Sequence, residues 1–213
     1  MEKYVITLKR RPERLENFKN NFGDYSNNIK VIYGFDGNQF FNELIEEQEL
    51  IKKCFNIKLG EIGCALSHFR IYKDIVDNYN YGIIFEDDAI PSSNFNEKLN
   101  VILNEVPKDF DFIYIGGRFH ENFIMPDKYI YKISPNIVQH NNLHFGPYHD
   151  RTTHSYIISK RMAQKLLDIF NNSNLHRPID HWLLEMLRKE KVNIYNSNPL
   201  LCYSPMNSNS DIR

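Results

Sequence analysis

Apolar positions along the chain follow two rhythms. Short runs rich in β-branched and aromatic residues at 3–8, 29–33, 81–85, 111–115, 155–159 and 192–195 read as strands. Between them, apolar residues recur every three or four positions. Leu15, Phe18 and Phe22 make one such stripe behind Pro12, a residue that the first turn of a helix tolerates. Ile62, Leu66, Phe69, Tyr72, Ile75 and Tyr79 make a longer one. Further helices are expected at 42–55, from about Asn94, at 161–170 and at 179–190. Residues 118–153 show little periodicity and hold three prolines, which reads as either a set of short strands or a long functional loop, and the tail from 196 to 213 reads as polar and irregular. Strands alternating with helices predict an α/β domain, a mixed but mostly parallel sheet flanked by helices.

Composition narrows the picture. A chain of 213 residues with 42% hydrophobic residues can bury one sizeable core. The 26 basic and 27 acidic residues nearly cancel, which argues against a protein that grips nucleic-acid backbones. Cys54, Cys64 and Cys202 are odd in number and widely spaced, so neither a disulfide framework nor a zinc ribbon is indicated. No stretch reaches the roughly 18 apolar residues of a membrane span, and the first strand begins without a signal-like segment. A cytosol-like compartment with reduced thiols is expected. Asn171-Asn172-Ser173 fits a glycosylation acceptor, and an unmodified loop is expected there.

Candidate chemistry concentrates at Glu86-Asp87-Asp88, which follows directly on the buried run Tyr81-Gly82-Ile83-Ile84-Phe85. In open α/β sheets ligands bind outside the carboxyl ends of strands. Three crowded carboxylates repel one another by about 1 kcal/mol per pair in water and more near a protein interior. A hard divalent cation offsets this, and Mn2+ or Mg2+ uses one or two carboxylates together with phosphate oxygens. The alternative is a solvated turn ahead of a helix start.

The block Gly60-Glu61-Ile62-Gly63-Cys64-Ala65-Leu66-Ser67-His68, followed by Ile84-Phe85-Glu86-Asp87-Asp88-Ala89, resembles glycosyltransferase family 25. Members include lipooligosaccharide galactosyltransferases and collagen hydroxylysine galactosyltransferases. The resemblance extends through Tyr4-Val5-Ile6-Thr7-Leu8-Lys9-Arg10-Arg11-Pro12-Glu13-Arg14, Phe35-Asp36-Gly37, Asp111-Phe112-Ile113-Tyr114-Ile115-Gly116, the strand and helix from Thr153 to Leu167, Pro178-Ile179-Asp180 and Ser210-Asp211-Ile212. The chain departs from the family at Thr7, where Asn is usual, and near Met206, where a glutamine is expected. The resemblance implies a GT-A fold, a UDP-sugar donor, a divalent metal and inversion at the anomeric carbon. The nucleotide-sugar half would cover about 1–117 and the acceptor half about 118–213.

Roles follow from that resemblance. Asp88 would hold the metal, with Glu86 reaching ribose or a metal-bound water and Asp87 supporting either. Arg10, Arg11 and Arg14 offer bidentate donors for a diphosphate, and Asp36, Ser67 and His68 would line the donor site. Simple readings stand beside these: an Asp-Gly turn for Asp36, a packed histidine for His68. Asp180 is the candidate base, against plain N-capping, with Asp150 and Glu185 in reserve. His140, His144, His149 and His154 are too loosely spaced for a zinc site, but His154 or Asp211 could add a metal or acceptor contact. Cys64 and Trp182 read as core. The acceptor would be a glycan or a collagen-like hydroxylysine. A catalytically silent nucleotide-sugar-binding or scaffold module is the competing reading, and a metal phosphohydrolase a third.

Overall fold

The computed structural model describes residues 1–36, 54, 57–117, 124–140 and 152–204. The helix expected at 42–55 lies almost wholly outside the described residues, as do Gly37, His144, His149, Asp150 and Asp211.

The chain opens with strand β1 (Glu2–Thr7), helix α1 (Pro12–Phe22) and strand β2 (Lys30–Tyr33). Helix α2 (Leu59–Asn78) follows, then β3 (Tyr81–Glu86), the short β4 (Ile90–Pro91) and helix α3 (Phe95–Glu105). Next come β5 (Phe112–Tyr114), β6 (Gly116–Gly117), β7 (Ile130–Lys132) and β8 (Ile137–His140). The last part holds β9 (Ser155–Ser159), α4 (Lys160–Asn172), α5 (Ile179–Lys189), β10 (Ile194–Ser197) and β11 (Cys202–Tyr203).

One sheet runs β2-β1-β3-β9-β5-β10-β8-β7. Strands β2, β1 and β3 are parallel, and so are β5 and β10, while β9 lies antiparallel to both β3 and β5. Strands β9 and β8 thus run against the others, a reversal that hydrophobic periodicity does not encode. Alternate side chains face opposite layers. Tyr4, Ile6, Ile84, Phe112, Tyr156 and Ile158 pack under α2, α4 and α5. Val5, Ile83, Phe85, Ile113 and Ile157 pack against Phe18, Phe22, Phe95 and Leu99 of α1 and α3. Gly82 seats α2 on the sheet, because a Cβ there would lie 2.6 Å from Ile75 Cδ1.

Of the two readings of the aperiodic stretch, short strands hold for its described part, which contains the antiparallel pair β7–β8. Two expectations need correction. The tail is not irregular throughout, since β11 joins β4 and β6 in a second small sheet. Cys54 does not close a helix but forms a parallel bridge to Leu175. Among the described residues no helix is long and apolar enough to cross a membrane.

Candidate active site

Strands β1, β2 and β3 end at one edge, and the acidic triplet is tied there by its backbone. The Glu86 N–H donates to the His154 carbonyl at 2.9 Å and the Asp87 N–H to the Ile6 carbonyl at 3.1 Å. Pinned between β1 and β9, the three side chains diverge to different partners. Glu86 Oε1 accepts from Thr153 Oγ1 at 2.5 Å and lies 3.5 Å from His68 Nε2. Asp87 accepts from Thr7 Oγ1 at 2.7 Å and pairs with Arg14 at 2.5 Å. Asp88 Oδ2 accepts from Ser204 Oγ at 3.0 Å. Its other oxygen, Oδ1, is buried and has no hydrogen-bond partner among the described residues.

The electrostatics follow from these neighbours. Burial pushes the Glu86 carboxyl up, but His68, Thr153 and His154 together hold it below the ordinary value. Burial, joined by the Glu86 charge beside it, drives Asp88 up to about 6 against the pull of Arg14 and Ser204. A buried oxygen with no donor, on a carboxylate crowded by another carboxylate, suits a cation. The oxygen chemistry of the cluster fits Mn2+ or Mg2+.

Above the triplet opens a cleft with about 680 Å³ of free space, part of it open to solvent. Thr7, Arg14, Asp36, Gly60, Cys64 and Ser67 line it together with the three carboxylates. Helix α2 brings its first turn to the cleft through Gly60. Glu61 closes that turn by accepting from the Lys58 N–H at 2.9 Å. Ser67 is buried, donating to the Gly63 carbonyl at 2.7 Å and accepting from the Phe35 N–H at 3.3 Å. It holds the loop after β2 against α2, a support for the cleft wall. Burial, with Glu86 and Asp180 nearby, holds the Cys64 thiol well above its usual value.

The remaining candidates sort by position. Arg14 turns inward, and Arg10 pairs with Asp36 at the rim at 2.5 Å. Arg11 pairs with the exposed Glu13 and does not line the cleft. Asp180 lies in the first turn of α5, whose N-cap is Pro178; its carboxylate accepts from the His181 N–H, and its charge reaches Cys64. It is therefore not an N-cap. Glu185 is bound up with Arg177 and Lys189 on the exposed face of α5 and stays out of the cleft lining. His154 is buried beside Glu86, its ring against Gly116, where a Cβ would lie 2.7 Å from Nε2. His140 ends β8, three places from β9 in the sheet order. Trp182 is fully buried.

Sequence reasoning assigned no role to Thr7, Thr153 or Ser204. Their hydroxyls hold Asp87, Glu86 and Asp88, respectively, across separations of 80, 67 and 116 residues. Only Thr7 had a signal, its departure from the family's usual Asn.

A helix-flanked sheet that carries clustered carboxylates where its third strand ends defines a GT-A-like α/β protein. The fold is that of a Drosophila β1,4-galactosyltransferase 7 variant solved with manganese, UDP-Gal and xylobiose (TM-score 0.51, 11% identity, covering 97% of this chain and 72% of that one). A glycosyltransferase involved in glycosylation of the PBCV-1 major capsid is similar too (TM-score 0.52, 8% identity, 99% and 94% covered). These likenesses show the fold. The model of glycosyltransferase family 25 (LPS biosynthesis protein) matches residues 1–183, and the chain belongs to that family. Mouse procollagen galactosyltransferase 2 is 29% identical over 95% of this chain and 33% of its own length. The chain thus spans about a third of the curated relatives it matches.

Proposed function

We propose that this protein moves a hexose, galactose in the first instance, from a UDP-sugar to an acceptor hydroxyl, with inversion and with Mn2+ or Mg2+ bound. The observation that carries the reading is the buried Asp88 Oδ1, without a partner among the described residues, in the lining of a cleft in a family 25 chain. Asp88 would hold the metal, with Glu86 beside it. Asp87 is committed to Arg14 and Thr7 and serves as an anchor. The bound ion would neutralise charge that gathers on the departing diphosphate. Arg14 and the N–H groups of the first α2 turn add positive potential on the same side. Arg10 and Asp36 form the rim on which the nucleoside rests. Asp180 takes the acceptor proton as the hydroxyl attacks.

The curated relatives named for procollagen favour a collagen-like hydroxylysine as acceptor over a glycan. The test is UDP release from UDP-galactose, UDP-glucose and UDP-N-acetylhexosamines, with and without Mn2+, on a hydroxylysine peptide and on a lipooligosaccharide-type glycan. Metal-dependent release with the peptide supports the reading. Absence of both UDP release and UDP binding overturns it in favour of a scaffold. Release of inorganic phosphate instead of UDP points to a phosphohydrolase.

A further inference from the structure

Cys64 and His68 stand four residues apart on α2, so both side chains leave the same helix face toward the end of β3. There they meet Glu86, and one ligand atom from each of the three lies within 4.8 Å of the others. His68 is fully buried, and among the described residues its Nε2 makes no close hydrogen bond but faces Glu86. Its Nδ1 is 2.7 Å from Tyr156 OH, which lies 2.8 Å from Tyr72 OH. A metal-binding imidazole is oriented in this way, one nitrogen fixed by an outer partner and the other aimed at the ion.

The Nε2 to Glu86 Oε1 distance is 3.5 Å. A charge-assisted hydrogen bond would draw the pair to about 2.7–2.9 Å. Two ligands on one tetrahedral zinc ion stand about 3.3–3.6 Å apart, given metal bonds of about 2.0–2.3 Å. The separation of His68 Nε2 and Glu86 Oε1 falls within the span of two ligands on one ion. Side-chain movement of roughly 1 Å brings the sulfur into the same sphere. Thr153 already donates to Glu86 Oε1 and fixes the carboxylate's rotation, which leaves the oxygen a second lone pair.

We propose that Cys64 Sγ, His68 Nε2 and Glu86 Oε1 form a site for a thiophilic divalent cation such as Zn2+, separate from the all-oxygen position at Asp88. Sulfur and imidazole select against Mn2+ and Mg2+, so the two positions take different ions. Cys64 and Glu86 both line the cleft, so the fourth coordination position opens toward it. An ion held there competes with the donor for Glu86, which makes the site inhibitory. The assignment of the metal site itself does not depend on the transferase reading, since its test uses metal alone.

The test titrates the whole chain with Co2+ and follows the thiolate-to-cobalt charge-transfer absorption, then adds Zn2+ to displace it. One equivalent of Co2+ is expected to give the band and one of Zn2+ to remove it. Cys64→Ser should abolish the band, whereas Cys54→Ser and Cys202→Ser should keep it. Tyr156→Phe should weaken binding about tenfold, as loss of an orienting partner does. Alkylation gives a second readout: Zn2+ should protect Cys64 in the parent chain and not in His68→Gln, with circular dichroism reporting the fold of each variant. A parent chain without the band, a band that survives in Cys64→Ser, or Zn2+ that leaves Cys64 alkylation unchanged would each overturn the assignment.

Discussion

Two aspartates, Asp111 buried and Asp88 half-buried, sit at opposite edges of the same sheet, and they are finished differently. Asp111, where β5 begins, has both oxygens engaged: Arg161 Nε donates to Oδ1 at 2.8 Å and the Asn193 N–H to Oδ2 at 2.9 Å. Asp88, beyond the end of β3, has one oxygen on Ser204 and the other with no donor among the described residues. A saturated carboxylate stitches elements together; an unsaturated one is held ready for something else. Stability and readiness for a ligand are thus separated to opposite ends of one scaffold.

Asp88→Asn probes the difference most strongly. It keeps the shape and removes the charge, and Mn2+-dependent UDP release should fall about a thousandfold, roughly 4 kcal/mol of transition-state stabilisation. Asp111→Ala should do the reverse. The loss of a buried acceptor for Asn193 and Arg161 should cost about 2–3 kcal/mol of stability. That lowers Tm by about 5–10 °C, with the rate per folded molecule unchanged; equal damage to rate and Tm in both variants would break the comparison.

Proton linkage sharpens it. The folded Asp88 carboxyl sits at about 6, above its unfolded value of 3.8. Between those values the folded chain holds the extra proton, so stability falls as pH rises through that window. The penalty persists above 6. Metal-free Asp88→Asn should therefore be more stable than the parent at pH 7, by on the order of 1–2 kcal/mol, and equal to it below about pH 4. By the same linkage Mn2+ affinity should drop about tenfold per pH unit below 6, measured by calorimetry, and level off above 7. The smallest effect is expected for Thr153→Val, which removes one hydroxyl from Glu86. A loss of about 1 kcal/mol in Mn2+ or UDP binding should accompany it.

The acidic tip was legible because a buried strand ending in Glu86-Asp87-Asp88 states both its place and its charge in consecutive residues. The stripe on α2 was legible for the same reason, since period and length agree over 59–78. Strand direction was not: the run at 155–159 reads alike whichever way it lies, and only the pairing of Phe85 with Ser155 and Tyr114 with Tyr156 shows the reversal. The hydroxyls that hold the carboxylates were hidden because each belongs to a distant segment. Arg10, Arg11 and Arg14 looked equivalent as a cluster, yet helical phase turns Arg14 toward Asp87 and leaves Arg11 with Glu13. Asp180 carried two meanings in sequence, cap or base, and the helix begins two residues too early for the first.

Strand β11 carries one more consequence. Tyr203 pairs with Ile90 of β4, and that pairing delivers Ser204 to Asp88 across 116 residues of chain. Contacts so remote in sequence are closed late in folding, after local structure has formed. A chain emerging from the ribosome therefore places Asp88 long before the hydroxyl that orients it, and the carboxylate is fixed only once strand β11 has docked.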